Sequence, residues 1–93
     1  MYTLFETKKF CKSLRRISST KGGKKIIEEL RNCLTILKNG KPLDLIFKDH
    51  ALKGEFIGYR ECHIRGDVLL VYKIEKDKMI LVLVEIGSHS YLF

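Results

Sequence analysis

Gly66 and Asp67 form a two-residue turn between two runs of strand-forming sequence, Arg60–Ile64 and Val68–Ile74. A connection that short joins neighbouring strands only as an antiparallel hairpin, and glycine in its first position suits a type II′ turn. Strand alternation puts Cys62 and Ile64 on one face and Glu61, His63 and Arg65 on the other, a polar face that should look outward. A third run, Met79–Ile86, follows a turn at Lys76-Asp77, so the C-terminal half reads as a meander of three strands. The helical patterns that could pack on that sheet lie upstream.

Upstream the hydrophobic period changes. Residues 2–6, YTLFE, are aromatic and β-prone and read as a first strand. Phe10, Leu14 and Ile17 then recur at spacings of four and three with Cys11 beside them, which predicts a helix. Lys8, Lys12, Arg15 and Arg16 fall largely on its other faces. The stretch SSTKGG, residues 18–23, breaks the helix. A second one is expected over 24–38, with Ile26, Ile27, Leu30, Cys33, Leu34 and Leu37 on its buried face and Asn39-Gly40 as its stop. Residues 41–57 read as a loop. The order β-α-α-β-β-β predicts an α+β domain over residues 1–93, two N-terminal helices packed on an antiparallel sheet.

With 93 residues and 45% hydrophobic content, one modest core is expected and disorder is not. No apolar run approaches the roughly 18 residues of a membrane span, and the N-terminus lacks a signal-peptide pattern. A soluble, cytoplasmic protein is therefore expected. Cys11, Cys33 and Cys62 are odd in number and form no C-x-x-C pair, which predicts reduced, largely buried thiols. The net charge of +7 is unevenly spread: residues 1–48 carry twelve Lys/Arg against four Asp/Glu, a balance of +8, and residues 49–93 carry six against seven, a balance of −1. A basic half of this kind favours a polyanion through phosphate contacts and counterion release, although solubility alone also explains a basic surface.

All three histidines lie in the near-neutral half: His50, His63 and His89. Each sits in a loop or near a strand end, where functional groups are often mounted on a rigid sheet. Singly each is better explained as structural. Together with Asp67 they supply a base, an acid and an orienting carboxylate, and imidazole titrates near neutral pH. No H-x-x-x-H or H-E-x-x-H spacing is present, so no metal site and no cofactor are expected. There is no P-loop and no dinucleotide fingerprint.

Three ordered motifs, KDHALKG (48–54), GYRECHIRGDVLLVYK (58–73) and GSHSYLF (87–93), resemble the YafQ branch of the RelE/ParE superfamily of bacterial toxins. The N-terminal layout of strand, basic helix and apolar helix is similar as well. The resemblance implies a RelE-like fold and a type II toxin. It implies cleavage of mRNA, typically in the ribosomal A site and without metal, and silencing by a cognate antitoxin. It implies catalytic roles for His50, His63, Asp67 and His89, and stacking of a base on the terminal aromatic, Phe93. One position departs: members commonly carry arginine two residues before the glycine of the G-[ST]-H motif, and this chain has Glu85. A carboxylate there repels a phosphate at close range, which leaves Lys53, Arg60 or Arg65 to contact the RNA.

In the mechanism so implied, the ribose 2′-OH is the nucleophile, His50 the base and His89 the acid, with the two roles open to exchange. His63 and Asp67 position the phosphate and fix imidazole tautomers. Lys8, Lys12, Arg15 and Arg16 are expected to grip the ribosome, and the free protein to be a monomer. Two readings remain open: a ribosome-dependent endoribonuclease, favoured by the three histidines, and a non-cleaving relative that blocks a target such as the ribosome or a topoisomerase, kept alive by Glu85.

Overall fold

The computed structural model describes residues 1–92, the side chains of Ser90 and Tyr91 excepted. Strand β1 (Thr3–Glu6) leads into helix α1 (Lys8–Ser18) and helix α2 (Gly23–Lys38). A short strand β2 (His50–Ala51) precedes the meander of β3 (Arg60–Arg65), β4 (Val68–Glu75) and β5 (Ile80–Ser88), and a single helical turn, α3 (His89–Leu92), follows. The expected order and class are present, with one correction to the sheet. It is mixed, not wholly antiparallel: five strands lie in the order β1-β5-β4-β3-β2, and β1 runs parallel to β5. Period-two alternation carries no information about a partner's direction. The 41–57 segment is also more ordered than a loop, since it contains β2 and one-turn 3-10 helices at Leu45–Phe47 and Gly54–Phe56.

Helix α1 starts where it does because Thr7 caps it. The Thr7 hydroxyl accepts the Phe10 amide at 3.0 Å and donates to the Val84 carbonyl at 2.7 Å, which ties the helix start to β5. The break between the helices is a packing requirement as much as a turn. Gly22 has φ +84°, and a Cβ on Gly23 would sit 2.3 Å from the Ile17 carbonyl oxygen. The core fills one side of the sheet: Phe10 and Ile17 from α1 and Leu30, Cys33 and Leu37 from α2 meet Cys62, Ile64, Leu70, Tyr72, Leu81, Leu83 and Ile86. Cys33 and Cys62, far apart in sequence, are free thiols in contact at 3.7 Å. The hydrogen bond to Cys33, with burial, pushes the Cys62 thiol far above its ordinary value. No helix among the described residues is long and apolar enough to cross a membrane.

The helices leave the other side of the sheet to a second set of residues, in which Glu61, Leu69 and Val71 are buried. That side positions the candidate site.

Candidate active site

Strand pairing assembles one row of side chains across the sheet. His50 pairs with Glu61, Glu61 with Val71, and Val71 with Glu85. Directly paired residues share a face, with strands about 4.8 Å apart. Two residues further along lies a second row, His63, Leu69 and Gly87. Beyond it, Val68 pairs with Ser88, so the next residues out, Asp67 in the hairpin turn and His89 at the start of α3, come to the same end of neighbouring strands. By register, His50 and His63 thus lie in adjacent rows of one face, and Asp67 and His89 lie beyond them at the hairpin end of the sheet.

His50 and Glu61 are in direct contact. His50 Nε2 lies 3.2 Å from Glu61 Oε1, with the histidine half exposed and the carboxylate side chain only 8% exposed. His50 Nδ1 lies 2.8 Å from the Lys48 carbonyl, which can only accept, so Nδ1 carries a proton and the Nε2 position faces the carboxylate. Lys48 holds that carbonyl in place from a left-handed backbone conformation, φ +49°, which closes the preceding 3-10 turn. Strand alternation had put Glu61 on the face of His63. Alternation carries no sign that Glu61 is buried, nor of His50 as its partner, because β2 is only two residues long.

Asp49 is the second residue that the sequence did not single out. Its carboxylate accepts from Arg60 Nη2 at 2.8 Å and from the Tyr72 hydroxyl. Those bonds pin the residue before His50 against β3 and β4. Burial first, and the bond to Asp49 second, push the Tyr72 phenol well above the usual tyrosine range. The hydrogen bond to Asp49 likewise raises Arg60, against the opposing effect of burial. Arg60 pairs with the core residue Tyr72 in the β3–β4 register, so it faces the helix side of the sheet, away from His50. The structure therefore gives it a different place from the RNA contact expected of it: it anchors β2.

Of the other expected cations, Arg65 does not share the face of Glu61 and His63 as alternation predicts: an irregularity between His63 and Arg65 sets it opposite Val68, and it reaches back to Glu29 of α2 at 3.3 Å. Lys53 is exposed beside the second 3-10 turn. Lys8, Lys12, Arg15 and Arg16 are all exposed along α1, which contains no acidic residue. Lys9, passed over in the sequence, is the cation next to Glu85, its Nζ 3.9 Å from Oε1. Phe93 lies outside the described residues.

This architecture has relatives. The sequence model of the family described as the bacterial toxin of a type II toxin–antitoxin system, YafQ, matches residues 2–93. The mRNA interferase toxin YafQ of Escherichia coli strain K12 is 39% identical over 70 residues, 74% of either chain. A metal-bound toxin from Helicobacter pylori superimposes with a TM-score of 0.85 at 39% identity, covering 100% of both chains. The toxin in the E. coli DinJ–YafQ complex gives a TM-score of 0.81 at 26% identity, over 100% of this chain and 99% of its own. The metal is a property of that H. pylori structure; among the described residues here, no three His, Cys, Asp or Glu side chains converge to hold an ion.

Proposed function

Because the chain belongs to the YafQ family of bacterial type II toxins, we propose that it is an mRNA interferase, an endoribonuclease that cleaves messages on the ribosome in the cytoplasm. The observation that carries this reading is the His50–Glu61 pair, a half-exposed imidazole backed by a buried carboxylate at 3.2 Å. Nδ1 donates to the Lys48 carbonyl, so Nε2 is the nitrogen that takes a proton, and the Glu61 carboxylate beside it stabilises the imidazolium that forms.

With Nδ1 committed to the Lys48 carbonyl, Nε2 of His50 turns from Glu61 to take the proton from the ribose 2′-OH. The 2′ oxygen attacks phosphorus, the bond from phosphorus to the 5′ oxygen breaks, and His89 protonates the leaving oxygen. The products are a 2′,3′-cyclic phosphate and a 5′-hydroxyl. His63 and Asp67 position the phosphate, and Lys53 and Arg65 hold its charge, with Arg65 exchanging Glu29 for phosphate. Phe93 stacks on a base of the message. The cationic stripe of α1 binds ribosomal RNA. An antitoxin that covers the site has apolar surface to hold, since Leu45, Ile46 and Ile57 stand exposed on either side of His50 in the chain.

Induction of the protein followed by mapping of message 5′ ends tests the reading. New ends in coding regions are expected from wild type and not from His50→Ala. Intact messages alongside arrested translation would replace it with a blocking function.

A further inference from the structure

A cleft of about 270 Å³ lies on the same face as His50 and Glu61. Val71 and Glu85, directly paired in the sheet, contribute to its lining, together with Phe56, Tyr59 and Leu92. Lys9 and Glu55 add the remaining charges. The Lys73 ammonium sits 5.5 Å from the centroid of the Tyr59 ring and helps to fix it. An apolar and aromatic cleft with a few placed polar groups is the usual form of a small planar ligand's site. Single-stranded RNA supplies such ligands, since its unstacked bases are held on aromatic rings and read along their Watson–Crick edges.

We propose that this cleft is a nucleobase slot and that Glu85, within it, reads the base and selects guanine. The inference rests on the RNA-cleaving reading for its substrate. Val71 lies between Glu61 and Glu85 in the cross-sheet row, so a base over Val71 sits one strand from the carboxylate that touches His50. It belongs to a nucleotide at or beside the scissile bond.

The chemistry of Glu85 chooses the base. An ionised carboxylate offers two acceptor oxygens and no donor. Guanine alone presents two adjacent donors, N1–H and the N2 amino group, which match both oxygens at once. Adenine and cytosine set one amino donor beside a ring nitrogen whose lone pair would oppose the second oxygen. Uracil flanks its one N–H with two carbonyls. The side chain is 17% exposed, enclosed enough for such a mismatch to be felt. Lys9 is 75% exposed and meets Glu85 only at 3.9 Å, so it is free to turn to the phosphate of the nucleotide whose base Glu85 holds. Thr7 keeps it there by fixing the start of α1 to Val84. The carboxylate at this position therefore faces a base edge, not a phosphate, which removes the repulsion expected from sequence.

Amide spectra of the isolated protein, titrated with each of the four nucleoside 5′-monophosphates, test the slot without any cleavage. All four carry the same phosphate, so differences report the base. GMP should move the Tyr59, Val71 and Glu85 amides and saturate at about tenfold lower concentration than the others, the scale of one bidentate base contact. Glu85→Gln, which keeps the shape and replaces one acceptor by a donor, should abolish the preference or pass it to AMP or CMP. Tyr59→Leu should weaken all four without changing their order. Equal affinities, shifts confined to other residues, or a guanine preference that survives Glu85→Gln would each overturn the proposal. A slot that prefers GMP in a protein that leaves messages intact would sink the nuclease reading alone, and cleavage with no base preference would sink the slot alone.

Discussion

At His50 the backbone and a carboxylate divide the ring between them, with the Lys48 carbonyl holding Nδ1 and Glu61 facing Nε2. If that arrangement moves the 2′ proton, His50→Ala and Glu61→Gln should each lower the single-turnover cleavage rate by roughly 10²–10⁴-fold with folding intact, the usual range for an acid–base group. Arg60 is a different case: its partner is Asp49, and Asp49→Asn should lower the free energy of unfolding by about 1–3 kcal/mol in urea titrations, since it weakens a charged hydrogen-bond network at the buried Tyr72. Tyr72 and Cys62 also set a pH dependence. Both bind their proton more tightly in the fold than in the unfolded chain, so their contribution to stability is complete below the unfolded values of 9.0 for the thiol and 10.0 for the phenol and is lost as pH rises through and beyond them. Thermal unfolding should therefore show falling stability from about pH 9 upward, and Tyr72→Phe should remove the part that begins near pH 10.

Among the elements, what was legible in the sequence is what local period determines. The stripe of Phe10, Leu14 and Ile17 and that of Leu30, Cys33 and Leu37 announce the two helices, and the Gly66-Asp67 turn announces the β3–β4 hairpin. What was hidden depends on partners remote in the chain. The four residues of β1 pair in parallel with β5, from Thr3 opposite Ile80 to Glu6 opposite Leu83, and nothing within the strand encodes that. β2 is two residues long, too short for any period, yet it brings His50 to Glu61. Glu61 is buried on a face that alternation marks as polar, with β2 and β4 on either side of it and His50 against its carboxylate. The gap between α1 and α2 can be tested at the same scale. Gly23→Ala should cost more than about 1 kcal/mol in chemical denaturation, because its Cβ would meet the Ile17 carbonyl and not a flexible side chain.

On the scale of the whole molecule, charge and chemistry are drawn from different halves of the chain. The exposed cations of α1 belong to a half of the chain with a balance of +8, and the histidines belong to a half with a balance of −1. If α1 grips ribosomal RNA, replacing Lys8, Lys12, Arg15 and Arg16 by glutamate should weaken ribosome binding and flatten the dependence of log affinity on log salt by up to about 0.7–0.9 per lost phosphate contact. An unchanged slope would make these residues a solvated face only. The chemistry itself leaves a record in its products. When purified protein is added to ribosomes holding a defined message, attack by the 2′-OH leaves a 5′-hydroxyl on the downstream fragment and a cyclic phosphate on the upstream one. The account predicts that downstream fragments are labelled by polynucleotide kinase without prior phosphatase, with His89→Ala suppressing their formation. Fragments carrying 5′-phosphates, or wild-type yields from His89→Ala, would contradict it.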